Sequence, residues 1–361
     1  MAYESWAVGL AVGTQTGLGV PNATIAALSG SIDTDDGVLL GDRDSGDADS
    51  GLSLPSLVRQ EATPADVPGS LTPQPASFQR LSIDGFSISW LLKGSGLLRG
   101  ADPPDDGEAI PIPAVRALFD MAGLIGANGV APAYRYTPRV AASVGGYQLY
   151  GTIKLWIGNL AWVFQDCIIE KLALVMTPGG NVVATADVAV GSHDPATQFF
   201  SEVTFPTFDF TAQTTGGQLH SAPLVAAVGH SWSTTRGFED MTVTVENSAS
   251  EEQDSNAETG LVQAVTERRI TCVGRIYSDD DAASKFEMDN VAGETPTADI
   301  TMQIGDASAV ETDPFNALAM ILSDVQVAQV KPDKTGTFMV MDLSGYCTAG
   351  SAGGEFSLDF N

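Results

Sequence analysis

Short runs of Val, Ile, Thr and aromatic residues, broken by Gly, Pro, Asn and Asp, set the rhythm of this chain. Such runs suit pleated, half-buried strands, and the residues that break them suit turns. Residues 241–246 (MTVTVE) alternate cleanly in polarity, as a strand with one buried face does. Further strands are predicted at 26–32, 81–92 and 268–277. Helical spacing is rarer. Ala114, Leu118, Met121 and Ile125 fall on one helix face, with Pro113 suited to the first turn. A second helix is predicted at 282–291, where Asp279, Asp280 and Asp281 complement the macrodipole at its start and Gly293 supplies a stop.

The pattern occurs twice. Phe164 opens FQDCIIEKLALVMTPGGNVVATADVAVGS, and Leu322 opens LSDVQVAQVKPDKTGTFMVMDLSG. Each has an early aspartate (Asp166, Asp324), a run of strand formers, a turn (Pro178 to Gly180; Pro332 to Gly336) and a returning strand. The aspartates lie 158 residues apart (324 − 166), about one domain length. Upstream of each hairpin come a helix, a strand, a long polar excursion and an earlier strand, which is 26–32 in the first half and 241–246 in the second. The excursions are 33–75 and 247–266, and segments of that length are usually functional or disordered. The fold expected is therefore mainly β, as two tandem β-sandwich or barrel domains with one α-helix each. The domains are placed at residues 1–200 and 201–361, with 193–233 as the linker and the opening of the second copy.

Charge alters this picture more than composition does. Apolar residues make up 43% of the 361, enough for a core in each half. Asp and Glu number 45 against 17 Lys and Arg, giving −28. Phosphate binding needs cations to displace counterions, so this balance argues against nucleic-acid binding. The same field opposes self-association, so any assembly must rest on apolar burial and strand pairing or must segregate its acids. The opening MAYESWAVGLAVG lacks a basic n-region and carries Glu4, which predicts no secretory signal. The most apolar stretch, 153–176, is interrupted by Lys154, Gly158, Asp166, Glu170 and Lys171, so a soluble cytosolic product without a membrane span is expected. Cys167, Cys272 and Cys347 are too scattered for a metal site and read as buried, reduced thiols.

Candidate chemistry is thin. Gly229-His230-Ser231-Trp232-Ser233 follows an apolar run as a nucleophile elbow would, but Ser233 replaces the second glycine of that turn. The histidines are His193, His220 and His230, so none follows Ser231 as the order of an α/β-hydrolase requires. Asp42-Arg43-Asp44-Ser45-Gly46 has the start of a calcium loop, yet its twelfth position is Ser53 rather than Glu. His193-Asp194 is an isolated pair. Glu267-Arg268-Arg269 is the densest basic spot, and its side chains alternate across a strand, which predicts an inter-subunit or intra-sheet ion pair. No enzyme, cofactor or metal is expected.

Several segments together resemble the major tail tube protein of long-tailed bacteriophages, in its duplicated form. They are Trp6-Ala-Val-Gly-Leu-Ala-Val-Gly13-Thr-Gln-Thr-Gly17, Thr152-Ile-Lys-Leu-Trp-Ile-Gly158-Asn-Leu-Ala-Trp162-Val-Phe-Gln-Asp166-Cys167, residues 241–247 with Asn256-Ala-Glu-Thr-Gly260, and the C-terminal Phe356-Ser-Leu-Asp-Phe360-Asn361. The resemblance implies tail-tube-like domains that join into rings, three duplicated chains giving pseudo-sixfold symmetry. Stacked rings would form the virion tail tube, an acidic-lined conduit for DNA ejection. It further implies as partners other copies of the chain, tail terminator, tape-measure and distal tail proteins, and DNA that passes without specific binding. The two excursions then become candidate contacts between rings, through Asp33, Asp35, Asp36, Asp42, Asp44, Asp47 and Asp49 in one and Glu251, Glu252, Asp254 and Glu258 in the other. The alternatives are another virion component (tail tip, collar or capsid decoration) and a carbohydrate-binding adhesin module built around Trp232.

Overall fold

A computed structural model describes residues 8–29, 31–32, 37–40, 51–52, 57–62, 77–83, 85–92, 116–128, 134–143, 145–193, 201–202, 204, 206–208, 229–230, 238–253, 261–277, 298–304, 318–335, 338–348 and 353–360. The chain is mainly β, as expected. The first half runs β1 (Val8–Thr14), α1 (Ala23–Ala27), β2 (Ser31–Ile32), β3 (Gly37–Leu40), β4 (Gly51–Leu52), β5 (Leu57–Ala62), β6 (Ser77–Ile83), β7 (Phe86–Leu91), α2 (Arg116–Met121), β8 (Leu124–Asn128) and β9 (Tyr134–Pro138). It continues with β10 (Gly151–Ile157), β11 (Leu160–Met176), β12 (Val183–Ala189), β13 (Ser192–His193) and β14 (Ser201–Glu202). Then follow β15 (Thr207–Phe208), β16 (Gly229–His230), β17 (Phe238–Gln253), β18 (Leu261–Tyr277), β19 (Ala298–Ile304), β20 (Leu318–Thr335), β21 (Phe338–Cys347) and β22 (Phe356–Phe360).

One long antiparallel layer has the order β4–β7–β12–β11–β17–β18–β21–β20. Two shorter sheets lie beside it. One is β3–β1–β10–β11, with β13 and β14 on the far edge. The other is β16–β19–β20–β22–β9–β8. Alternation sends Ile88, Trp90, Ala184, Ala186, Leu172, Leu174, Val243, Cys272 and Leu343 of the long layer inward, where they meet Leu10, Leu155, Phe164, Met320 and Leu358 of the short sheets in one buried cluster. Each such large side chain, withdrawn from water, contributes on the order of 1.5–3 kcal/mol.

The strands β11 and β20 belong to both layers because each bends. Asp166 and Asp324 sit at the bends with φ of 53° and 47°. They are the described non-glycine residues in the left-handed region, a conformation that Asp tolerates better than most residues. The strand pairings around them repeat as well. Ile153 faces Phe164 and Gly151 faces Cys167; likewise Ile300 faces Leu322 and Ala298 faces Val325. Past the bend, a second register shift falls between Ile169 and Lys171, and again between Val327 and Gln329. A row across the long layer reads Leu52–Ile88–Ala186–Leu172 in the first half and Met241–Gly274–Leu343–Val330 in the second.

Several sequence expectations change. Residues 26–32 are not one strand, because Asn22 accepts from the N–H groups of Thr24 and Ile25 and caps α1. The partner position of 240–241 is instead β4, inside the first excursion. That excursion holds β3, β4 and β5, and 247–266 is largely the end of the β17–β18 hairpin, with 254–260 outside the described residues. Of the helix expected from Pro113 onward, the described part is Arg116–Met121, with 113–115 outside the described residues, and it stops at Gly123, whose φ is +78°. Residues 332–335, read as part of the turn from Pro332 to Gly336, continue β20. The helix expected at 282–291 lies outside the described residues.

Candidate functional site

The contact between the two halves is the most elaborate interface in the molecule. Its backbone part is β11 with β17, from Lys171 opposite Glu246 to Met176 opposite Met241. Leu172, Leu174 and Met176 face inward with Met241, Val243 and Val245, and all are buried. On the other face the pairing aligns Asp187, Lys171, Glu246 and Arg269 in a row of alternating charge across neighbouring strands. Opposite charges facing one another across strands contribute about 0.2–1 kcal/mol each.

Above this seam lies a polar knot. Asn247 is buried, and its Nδ2 donates to the carbonyls of Ala122 and Ile169, both at 2.9 Å. Arg268 Nε donates to Asn247 Oδ1 at 2.9 Å, Nη1 to the Arg139 carbonyl at 3.0 Å and Nη2 to the Tyr147 carbonyl at 2.8 Å. Arg139 in turn donates to the Leu124 carbonyl at 2.8 Å and lies 3.7 Å from Asp120. Residues 122–147 of one half are thereby tied to β17 and β18 of the other. Burial lowers the pKa of Arg139 and of Arg268 from the ordinary arginine value. Burial raises that of Asp120, and Arg116 and Arg139 offset part of the rise. Gly123 is required here twice over: its φ is positive, and a Cβ would collide with the Arg268 guanidinium.

A third contact joins β22 to β9. Arg135 donates from Nε and Nη2 to the two carboxylate oxygens of Asp359, each at 2.6 Å, a bidentate pair. This bonding raises the Arg135 pKa. Phe119, Tyr136 and Phe360 pack behind it with ring centroids 5.0–6.0 Å apart.

The long layer ends differently on its two sides. Among the described residues, the 329–335 part of β20 pairs with β21 alone, β4 with β7 alone and β5 with β6 alone. Ala328, Gln329, Lys331, Pro332, Asp333 and Lys334 are exposed. On the layer's outward face, Asp187, Asp240, Glu246, Asp333 and Asp342 interleave with Lys171, Arg269, Arg275 and Lys331 among Ser87, Ser89, Thr185, Thr242, Thr271 and Ser344. Arg275 lies 2.7 Å from Asp342, 3.3 Å from Asp333 and 3.8 Å from Glu239.

Of the residues singled out in sequence, Asp33, Asp35, Asp36, Asp42, Asp44, Asp47, Asp49, Asp254, Glu258, His220, Ser231 and Trp232 lie outside the described residues. Glu251 and Glu252 fall on β17, opposite Gln263 and Val262 of β18. The ion pair expected of 267–269 is corrected in detail: Arg268 bonds an amide and carbonyls, whereas Arg269 lies 5.4 Å from the Tyr346 ring and faces Glu246. Cys167 and Cys272 are buried, Cys347 is half-buried, and burial raises the pKa of each thiol, that of Cys272 to about 12. Sequence reasoning missed the role of Arg268 and Asn247. The available signal was an arginine pair, Arg268-Arg269, placed within a strand of so acidic a chain. No protein-family model matches the chain, and no curated protein matches it.

Proposed function

We propose that this chain is a structural protein that assembles with copies of itself into closed rings, and that it is a tail tube protein of a long-tailed bacteriophage. The observation that carries the assembly reading is the junction of β11 with β17. There one half of the chain extends the sheet of the other, and the repeated pairings on either side support two tandem copies of one β unit, divided near residue 200. Head-to-tail contacts of this kind either close as rings or run on as filaments. Closing a ring also removes sheet edges that would otherwise invite uncontrolled pairing.

In this reading three chains form a ring with pseudo-sixfold symmetry, rings stack in the virion tail, and DNA passes through the lumen. The excursion tips, with the acids named above, would meet the next ring. Tail terminator, tape-measure and distal tail proteins would be the other partners. The outward face of the long layer suits a wall with little adhesion, although its described charges interleave, so weak adhesion there would rest on hydroxyls and balance as much as on acid excess. The chain performs no catalysis. Electron microscopy of the purified full chain tests the proposal. Hollow tubes whose rings show threefold symmetry with two similar lobes per chain are expected; true sixfold rings would refute the fused pair, and single chains at every concentration would refute assembly.

A further inference from the structure

We propose that the outer edge of β20 docks on β4 and β5 of a second copy in the register that β11 and β17 already use within one chain. This rests on the assembly reading and specifies which edges meet. The internal junction supplies the template. Lys171 corresponds to Gln329 and Met176 to Lys334, because the bends and register shifts of β11 and β20 coincide at the 158-residue offset. Through the matched rows, Met241 corresponds to Leu52 and Glu246 to Leu57. The β4–β7 and β5–β6 pairings keep one register from Leu52 opposite Ile88 to Leu57 opposite Ile83, the same count that β17 and β18 keep from Met241 opposite Gly274 to Glu246 opposite Arg269. Transposing Lys171–Glu246 and Met176–Met241 therefore places Gln329 opposite Leu57 of the next copy, and Lys334 opposite its Leu52.

The two junctions differ in strength. The edge of β11 presents buried Leu172, Leu174 and Met176. The same positions of β20 carry Val330, Pro332 and Lys334, and Lys331 and Asp333 lie between them. Proline removes a ladder donor, and Lys with Pro is a common means of discouraging edge pairing. The joint between copies is thus the weaker one, which keeps free chains apart until they are concentrated or templated.

The experiment mixes two full-length variants, Gln329→Cys and Leu57→Cys, each carrying one added thiol. Under mild oxidation after assembly, a covalent dimer is expected only in the mixture. It should be absent when Asp333→Cys replaces Gln329→Cys, since a shift of four residues, about 13 Å, exceeds disulfide reach. Lys171→Cys with Glu246→Cys in one chain tests the template and should close an internal bridge. Assemblies without the intermolecular bridge would overturn the edge assignment and leave the assembly reading standing. Single chains at every concentration in sedimentation would overturn both. Pro332→Val, which restores the donor, should lower the concentration needed for assembly about tenfold. An unchanged or higher threshold would overturn the claim that this joint is guarded.

Discussion

Strands β11 and β20 have nearly the same backbone course and opposite fates. Each passes from a short sheet to the long layer, turns at a left-handed aspartate, and shifts register again a few residues later. Beyond that point β11 is enclosed by β12 and β17, whereas β20 has β21 on one side and exposed residues along the other edge. Backbone geometry therefore does not decide whether a strand is central or peripheral. Side chains do: Leu174 is buried where its counterpart Pro332 is exposed.

The comparison breaks most visibly at the polar knot. Arg268→Ala leaves Asn247 Oδ1 and two carbonyls without their charged donor, and a loss of about 4 kcal/mol is expected. Urea denaturation should show an earlier midpoint. A second transition would show that the halves had uncoupled, whereas a change under 1 kcal/mol would mean the knot does not hold them together.

Next come the equivalent positions on the two strands. Leu174→Ala should cost about 3 kcal/mol through lost burial and a residual cavity, and Pro332→Ala should stay within about 0.5 kcal/mol because it lies on an exposed edge. Equal losses by thermal or urea melting would erase the distinction between the strands.

The bends give a smaller contrast. Asp324→Ala should cost about 1 kcal/mol, since alanine tolerates the left-handed region poorly. Asp166→Ala should cost about 2 kcal/mol, because Asp166 Oδ1 also accepts the Gly19 N–H at 2.8 Å. The reverse ranking in denaturation would show that the two bends are held by different means.

The smallest effect concerns pH. The hydrogen bond from Arg275 holds the Asp342 carboxyl below its ordinary pKa of 3.8. A carboxylate favoured in the folded state stabilises above its unfolded value, and that contribution is lost as pH falls through the lower folded value. Asp342→Asn should therefore cost a little stability at neutral pH and flatten slightly the loss below pH 3.8, so that variant and parent converge at low pH. A larger effect at pH 3 than at pH 7 would contradict this assignment.

The mainly β class was legible in the residues. Strand formers between turn residues announce a β protein, and Asp166 and Asp324, which hold like places in sequence order, share a left-handed backbone conformation. Local preference is enough for such features, because the residues that prefer strands and turns act through their own backbone. The excursions were misread for the complementary reason. Polar residues at 247–253 say little about structure until the strand has found its partner, and β4 and β5 are too short to stand out within 33–75. Likewise, two backbone acceptors, Ala122 just after α2 and Ile169 of β11, meet Asn247 only in the folded chain, so nothing local marks that residue as buried.

By itself, the sequence determined the strand-rich class and the acid excess that any self-association would have to overcome. Tertiary structure alone decided which edge of which strand is covered, and that the halves are joined through Asn247 and Arg268. The physical reason is that propensity and periodicity are properties of neighbours along the chain. Edge coverage and the hydrogen bonding of a buried polar group depend instead on residues distant along the chain, such as Ile169 and Ala122, which lie 78 and 125 positions from Asn247.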